Sequence, residues 1–172
     1  MAGKPRAYNP AEPSGNMIAD SALGLVPETL APYLAYNRMI WEEGPLSPAE
    51  IEVARLRNAR RVNCVFCKSV RYDIAMDAGL TEERVAMIDD DYESSALSER
   101  EKLIVALVDT YYDEPGEMSD ELRDMFNAMF SVEELAHLSL AIAHFSGFSR
   151  CAVSLGGMPD ELPVMSVSVP KA

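Results

Sequence analysis

A chain of 172 residues, 48% apolar and 25% charged, is long enough for one domain with a substantial core and has an ordinary globular composition. Its net charge of −13 argues against nucleic acid or an anionic membrane surface as the main partner, because both require clustered positive charge. No apolar run approaches the ~20 residues that span a bilayer, and the opening MAGKPRAYNPAEPSGN lacks the apolar stretch of a secretory signal, so the expected location is cytoplasmic.

Residues 1–16, rich in Pro, Gly, Asn and Ala and without period, predict a mobile arm ahead of a single domain over 17–156. Leu30, Tyr33, Leu34 and Ile40 or Trp41 recur at helical spacing, Gly44-Pro45 ends that helix, and Pro32 is expected to bend or restart it. Ser47, Pro48 and Glu50 spell a capping box for a helix reaching about Arg61, with Ile51, Ala54, Leu56 and Ala59 toward the core. Val62-Asn63 breaks the pattern, and Asn63 is expected to cap a second helix through Val70, Ile74 and Ala75 to Gly79. Thr81 caps a short helix, and Ser119 starts another. Two further capping boxes, Ser98 with Glu101 and Ser131 with Glu134, open longer ones; the last runs to Gly156-Gly157. Residues 157–172 form a loose tail whose Val-Ser alternation could add a strand or an arm across a neighbour. The prediction is an all-α bundle of about seven helices.

Arg55, Arg57, Arg60 and Arg61 cluster immediately before the segment NCVFCKSVR, residues 63–71. They form either a solvated helix face or a local positive field that favours a thiolate next door. Three cysteines are too few, and odd in number, for a secreted disulfide framework, so Cys64-x-x-Cys67 points to redox or metal chemistry, or to two packed core thiols. Residues three apart share a helix face, and a helix N-terminus favours thiolate, which suits a dithiol that closes into a disulfide. Zinc would find only half a tetrahedral site here, and the two histidines, His137 and His144, are seven apart rather than three to five. No calcium loop, G-x-G-x-x-G or P-loop is present, so neither a metal nor a cofactor is expected. The histidines lie in an apolar stripe and read as core residues, as does Cys151, while ten methionines read as adaptable core.

Glu52 followed after eleven residues by Cys64-x-x-Cys67, with LSPAE before and AGLTEERV after, resembles the alkylhydroperoxidase D-like (AhpD-like) branch of the carboxymuconolactone decarboxylase superfamily. The likeness covers about residues 25–156 and is most specific in 46–85. It implies an all-α fold with the cysteine pair at the N-terminus of a central helix. It further implies a peroxidase in which Cys67 attacks peroxide, Cys64 resolves it as a disulfide, and Glu52 belongs to a proton relay. Hydrogen peroxide or a small organic peroxide would be the substrate, an external lipoyl-like or thioredoxin-like dithiol the reductant, and a trimer or hexamer the assembly. The relay in such proteins normally includes a histidine four residues after the second cysteine, where this chain has Arg71, and often one between the cysteines, where it has Phe66.

If the chain doubles back at Val62-Asn63 as two antiparallel helices, Glu52 and Arg71 stand nearly level, which predicts a Glu52–Arg71 ion pair close to Cys67. Arginine can stabilise a thiolate by charge but cannot shuttle protons, leaving Tyr72 and His144 as candidate replacement donors. The alternatives are a decarboxylase acting on a small organic acid or lactone, and a non-catalytic helical oligomer in which the cysteines merely pack.

Overall fold

All three predicted capping boxes form: the Ser47, Ser98 and Ser131 hydroxyls each accept the amide three residues on, while Glu50, Glu101 and Glu134 reach back to the cap amides. The computed structural model describes residues 4–12 and 14–170; residues 1–3 and 13 of the expected arm, and 171–172 of the expected tail, lie outside the described residues. The chain runs α1 (Pro27–Glu42), α2 (Pro48–Arg61), α3 (Val65–Ser69), β1 (Val70–Tyr72), α4 (Asp73–Asp77), α5 (Glu82–Ala86), α6 (Glu99–Asp113), α7 (Asp120–Met129), α8 (Val132–Leu155) and β2 (Met165–Val167). Short 3-10 turns occupy Ala22–Leu25 and Tyr92–Ser94. This is the all-α bundle expected, with eight α-helices among the described residues.

Helix α2 is the axis of the fold. It packs chiefly on α8 and α6, and every residue from Ile51 to Asn58, and Ala59 after them, is buried. A helix enclosed on all sides must bury its polar residues too, and Glu52, Arg55, Arg57 and Asn58 are all inside. The arginine run is therefore not the solvated face that was one of its two readings. Arg57 forks onto Asp109 at 2.7 Å through both Nε and Nη2, and Arg60 donates to the carbonyls of Val85 and Ile88. Arg61 alone of the four is exposed, paired with Asp113.

Two predicted helix shapes change. Helix α1 passes through Pro32 unbroken, because the lost hydrogen bond falls in its exposed early turns, where Glu28 and Thr29 face solvent. The helix expected from Asn63 to Gly79 is split: α3 is a single turn, and Val70–Tyr72 turn extended to pair in parallel with Met165–Val167, register Val70↔Met165. The tail thus does contribute a strand, to its own chain. The arm's Arg6 amide bonds the Leu155 carbonyl at the end of α8 at 2.6 Å. Helix α8 is the one described helix long and apolar enough, at a mean hydropathy of 1.2, to cross a membrane; it also packs as a core helix against α2.

Candidate active site

Asn63 adopts the left-handed conformation (φ 55°), which asparagine tolerates better than most residues, and so reverses the chain between α2 and α3. That reversal makes Cys64, not Asn63, the cap of α3: its sulfur accepts the Cys67 amide at 3.1 Å. Cys64 and Cys67 have Cα atoms 5.2 Å apart and are joined by a disulfide. Cys64 is fully buried, whereas Cys67 is half-buried and opens onto a cavity of about 310 Å3. Around Cys67 the cavity is walled by Phe66, Phe145, Phe148, Tyr33, Tyr72 and Arg55, and the N-terminal segment adds Asn9, Met17, Ile18 and Leu23 among others.

The predicted Glu52–Arg71 pair does not form. Glu52, with no exposure at all, is gripped by Arg55 three residues on, at 2.6 Å from Nε and 2.7 Å from Nη2, and also receives the Tyr72 amide at 3.4 Å. Arg71 instead donates to Glu82 at 2.8 Å and to the Lys68 and Val70 carbonyls. The level-helix reasoning fails because α3 ends after one turn and Val70–Tyr72 turn extended: the Tyr72 amide still meets Glu52, but side chains alternate between faces in a strand and that of Arg71 leads to Glu82. Arg55 was legible only as one member of a basic cluster, although Glu52 and Arg55 stand at the i, i+3 spacing that brings helical charges together.

Arg55 also holds the site's backbone, donating to the Cys67 and Val70 carbonyls, each at 2.7 Å. Burial works against its charge, but the Glu52 carboxylate more than offsets this and keeps its pKa above the ordinary value. The cation beside the cysteines is therefore permanent. Arg71, by contrast, pairs with a largely exposed carboxylate. Arg71→Met is expected to change the iodoacetamide reactivity of reduced Cys67 by less than about threefold, while Arg55→Met slows it ~10-fold or more. Equal effects of the two changes would show that Arg55 does not set the local charge.

Tyr72 lines the cavity, its ring tilted 31° to that of Trp41 with centres 4.4 Å apart and the Arg55 guanidinium 5.3 Å from its ring centre. Burial pushes its hydroxyl pKa up, Arg55 pulling the other way; burial likewise raises that of Tyr33, which the sequence reading passed over. Both phenols keep their protons at neutral pH.

His144 is not part of this wall. Its Nε2 bonds Asn37 Oδ1 at 3.1 Å and its ring stacks on Tyr33, so it is a core histidine one layer behind the cavity. His137 is likewise buried, 3.1 Å from the Ile40 carbonyl. Cys151, expected in the core, is exposed: it lies on the outer side of the last turns of α8, whose other side, with Ser149, Ala152 and Leu155, lines the cavity.

Burial holds the His144 pKa down at about 4, against about 6.5 for a free imidazole. Between these values the unfolded chain binds a proton that the folded one refuses. Stability is thus complete above about pH 6.5 and falls as pH drops toward 4, by up to about 3 kcal/mol from this group. His137, also lowered by burial, acts in the same direction. The thermal midpoint should fall between pH 7.5 and 5, and His144→Gln should flatten that slope; an identical slope in the variant would remove His144 as its source.

The sequence profile of the Carboxymuconolactone decarboxylase family matches residues 27–102, from the start of α1 through both cysteines. This stretch of the chain is similar to that family, and the fold is an AhpD-like one. Two uncharacterized Mycobacterium tuberculosis proteins, from strains CDC 1551 and H37Rv, are each 32% identical over 111 residues. The match takes in 64% of this chain but only 39% of theirs, so the chain spans well under half the length of these curated relatives. Two crystal structures share the fold at a TM-score of 0.64. One, from Agrobacterium tumefaciens, is a protein of unknown function given the name antioxidant defence protein AhpD: 22% identical, covering 77% of this chain and 90% of that one. The other is an uncharacterized peroxidase-related protein from Silicibacter sp. TM1040: 16% identical, covering 75% and 69%. At the two positions where the sequence resemblance implies relay histidines the chain holds Arg71 and Phe66, and Glu52 is locked to Arg55.

Proposed function

We propose that the protein is a thiol-dependent hydroperoxide reductase, with Cys67 as the attacking thiol and Cys64 as the resolving one. The observation that carries this reading is the asymmetry of the pair: two bondable sulfurs, one buried and one opening onto an apolar cavity. The Cys67 thiolate attacks one oxygen of the hydroperoxide, the O–O bond breaks, and the departing alkoxide takes a proton to become an alcohol, or water from hydrogen peroxide. Cys67 is left as a sulfenic acid. The Cys64 thiolate then attacks that sulfur and expels hydroxide, which leaves as water once protonated, closing the disulfide. An external dithiol of lipoyl-like or thioredoxin-like type reduces it through a mixed disulfide.

Glu52 is not the proton carrier in this scheme. Held by two bonds from a permanent cation, it orients Arg55, which in turn fixes the Cys67 carbonyl. The proton for the leaving alkoxide comes from a cavity phenol, Tyr72 or Tyr33, both kept protonated by burial. Decarboxylation of an organic acid is disfavoured because the only cation among the residues lining the cavity, Arg55, is already engaged by Glu52. A cytoplasmic setting suits a dithiol that must be re-reduced. Apolar Met39, Val132 and Leu140, all at least half exposed, suit burial between copies in a trimer or hexamer.

The test uses reduced Cys151→Ser protein, in which every thiol belongs to the pair. One equivalent of cumene hydroperoxide or hydrogen peroxide should remove two thiols together and yield one intramolecular Cys64–Cys67 disulfide. Loss of no thiols, or linkage only between chains, would leave the inert-scaffold alternative standing.

A further inference from the structure

Beside Cys67 lies a second polar chain for which the disulfide chemistry above has no role. Ser149 Oγ sits 3.5 Å from Cys67 Sγ. Asn58 Nδ2 donates to Ser149 Oγ at 3.1 Å, Asn58 Oδ1 accepts the Tyr112 hydroxyl, and that hydroxyl lies 2.9 Å from Ser146 Oγ. Asn58, Ser146 and Ser149 are all buried, on α2 and α8, with Tyr112 on α6.

Two features show that this chain is directed at the sulfur. A helical serine can satisfy its hydroxyl on the carbonyl four residues back, as Ser139 does on Leu135 at 2.8 Å and Ser69 on Val65 at 3.0 Å. Ser149 turns to Cys67 instead. Donor order then fixes the proton. With Asn58 Oδ1 occupied by the Tyr112 hydroxyl, its amide nitrogen faces Ser149; Ser149 Oγ accepts there, and its single proton is left for the sulfur. A fully buried asparagine with both ends of its amide satisfied inside one chain is otherwise a costly residue for the middle of α2.

We infer that Ser149, oriented by Asn58 and Tyr112, is a hydrogen-bond donor that stabilises the Cys67 thiolate in the reduced protein, a task that neither Arg71 nor Phe66 performs from the relay positions. A disulfide sulfur is a poor acceptor and gains little from such a donor; a thiolate gains a charge-assisted bond. Ser149 touches the reacting atom. Asn58 and Tyr112 are positioning residues that act through it. The inference rests on the reading of Cys67 as nucleophile.

The test measures alkylation of Cys67 by iodoacetamide from pH 5 to 10 in reduced Cys151→Ser protein, with peptide mapping of the adduct, so no peroxide is needed. Ser149→Ala should raise the Cys67 pKa by about one unit and slow alkylation at pH 7 about tenfold. Ser149→Thr should restore both. Tyr112→Phe should give a smaller shift of the same sign, and none once Ser149 is alanine. An unchanged pKa in folded Ser149→Ala protein overturns the inference, as does a Tyr112→Phe effect that persists without Ser149. A shifted pKa in a protein that does not consume peroxide supports the inference while refuting the proposed function.

Discussion

Glu52→Gln is expected to destabilise the protein by about 3–5 kcal/mol, the usual cost of removing one partner from a buried ion pair. The carboxylate has no exposure and the guanidinium almost none, so the substitution leaves a buried cation with no counter-charge, held only by the Cys67 and Val70 carbonyls. At ~2–4 °C per kcal/mol for a domain of this size, the thermal midpoint should drop by about 10 °C. The effect belongs to the pair, so Glu52→Leu with Arg55→Met should recover a good part of the stability lost by Glu52→Gln alone. It should not recover all, because the Cys67 and Val70 carbonyls also lose their donor. If Glu52→Gln melts within 2 °C of the parent, the pair is not the anchor of this region.

Cys67→Ser should abolish peroxide consumption, by ~10^3-fold or more, because a serine hydroxyl in the same place is neither ionised nor comparably nucleophilic. Cys64→Ser should behave differently. It retains the attacking sulfur and the cavity, so one equivalent of peroxide per chain should still react, stopping at a sulfenic acid on Cys67 that dimedone traps. Reversed outcomes, with Cys64 carrying the label, would exchange the two roles. The burial of Cys64 against the cavity-facing Cys67 makes the first assignment the expected one.

Local chemistry made the helix starts readable, since a serine cap and a glutamate three residues later need nothing from the rest of the chain. What the sequence concealed was non-local. Val70, Arg71 and Tyr72 sit in a helical pattern, yet pairing with Met165, Ser166 and Val167 draws them into a strand. The inference that placed Arg71 by counting helical turns from Asn63 failed with it. The enclosure of α2 was hidden for a similar reason: four arginines look solvent-facing until Asp109 and the carbonyls around Cys67 are seen closing over two of them. Ser149 left no signal beyond a hydroxyl in an apolar helix, since its neighbours Asn58 and Tyr112 come from two other helices.

The β1–β2 ladder also bears on how the site comes into being. Its second half lies about 95 residues downstream of the first, and joining segments so far apart is entropically slower than winding any of the helices between them. Pairing of the two strands therefore belongs with the other long-range closures of the chain, such as Asn58 on Ser149 across 91 residues, and follows the winding of the local helices. Before those closures the reduced cysteines lack the wall that Val70 and Tyr72 give the cavity, so the dithiol has least shielding from foreign thiols while the chain is still assembling.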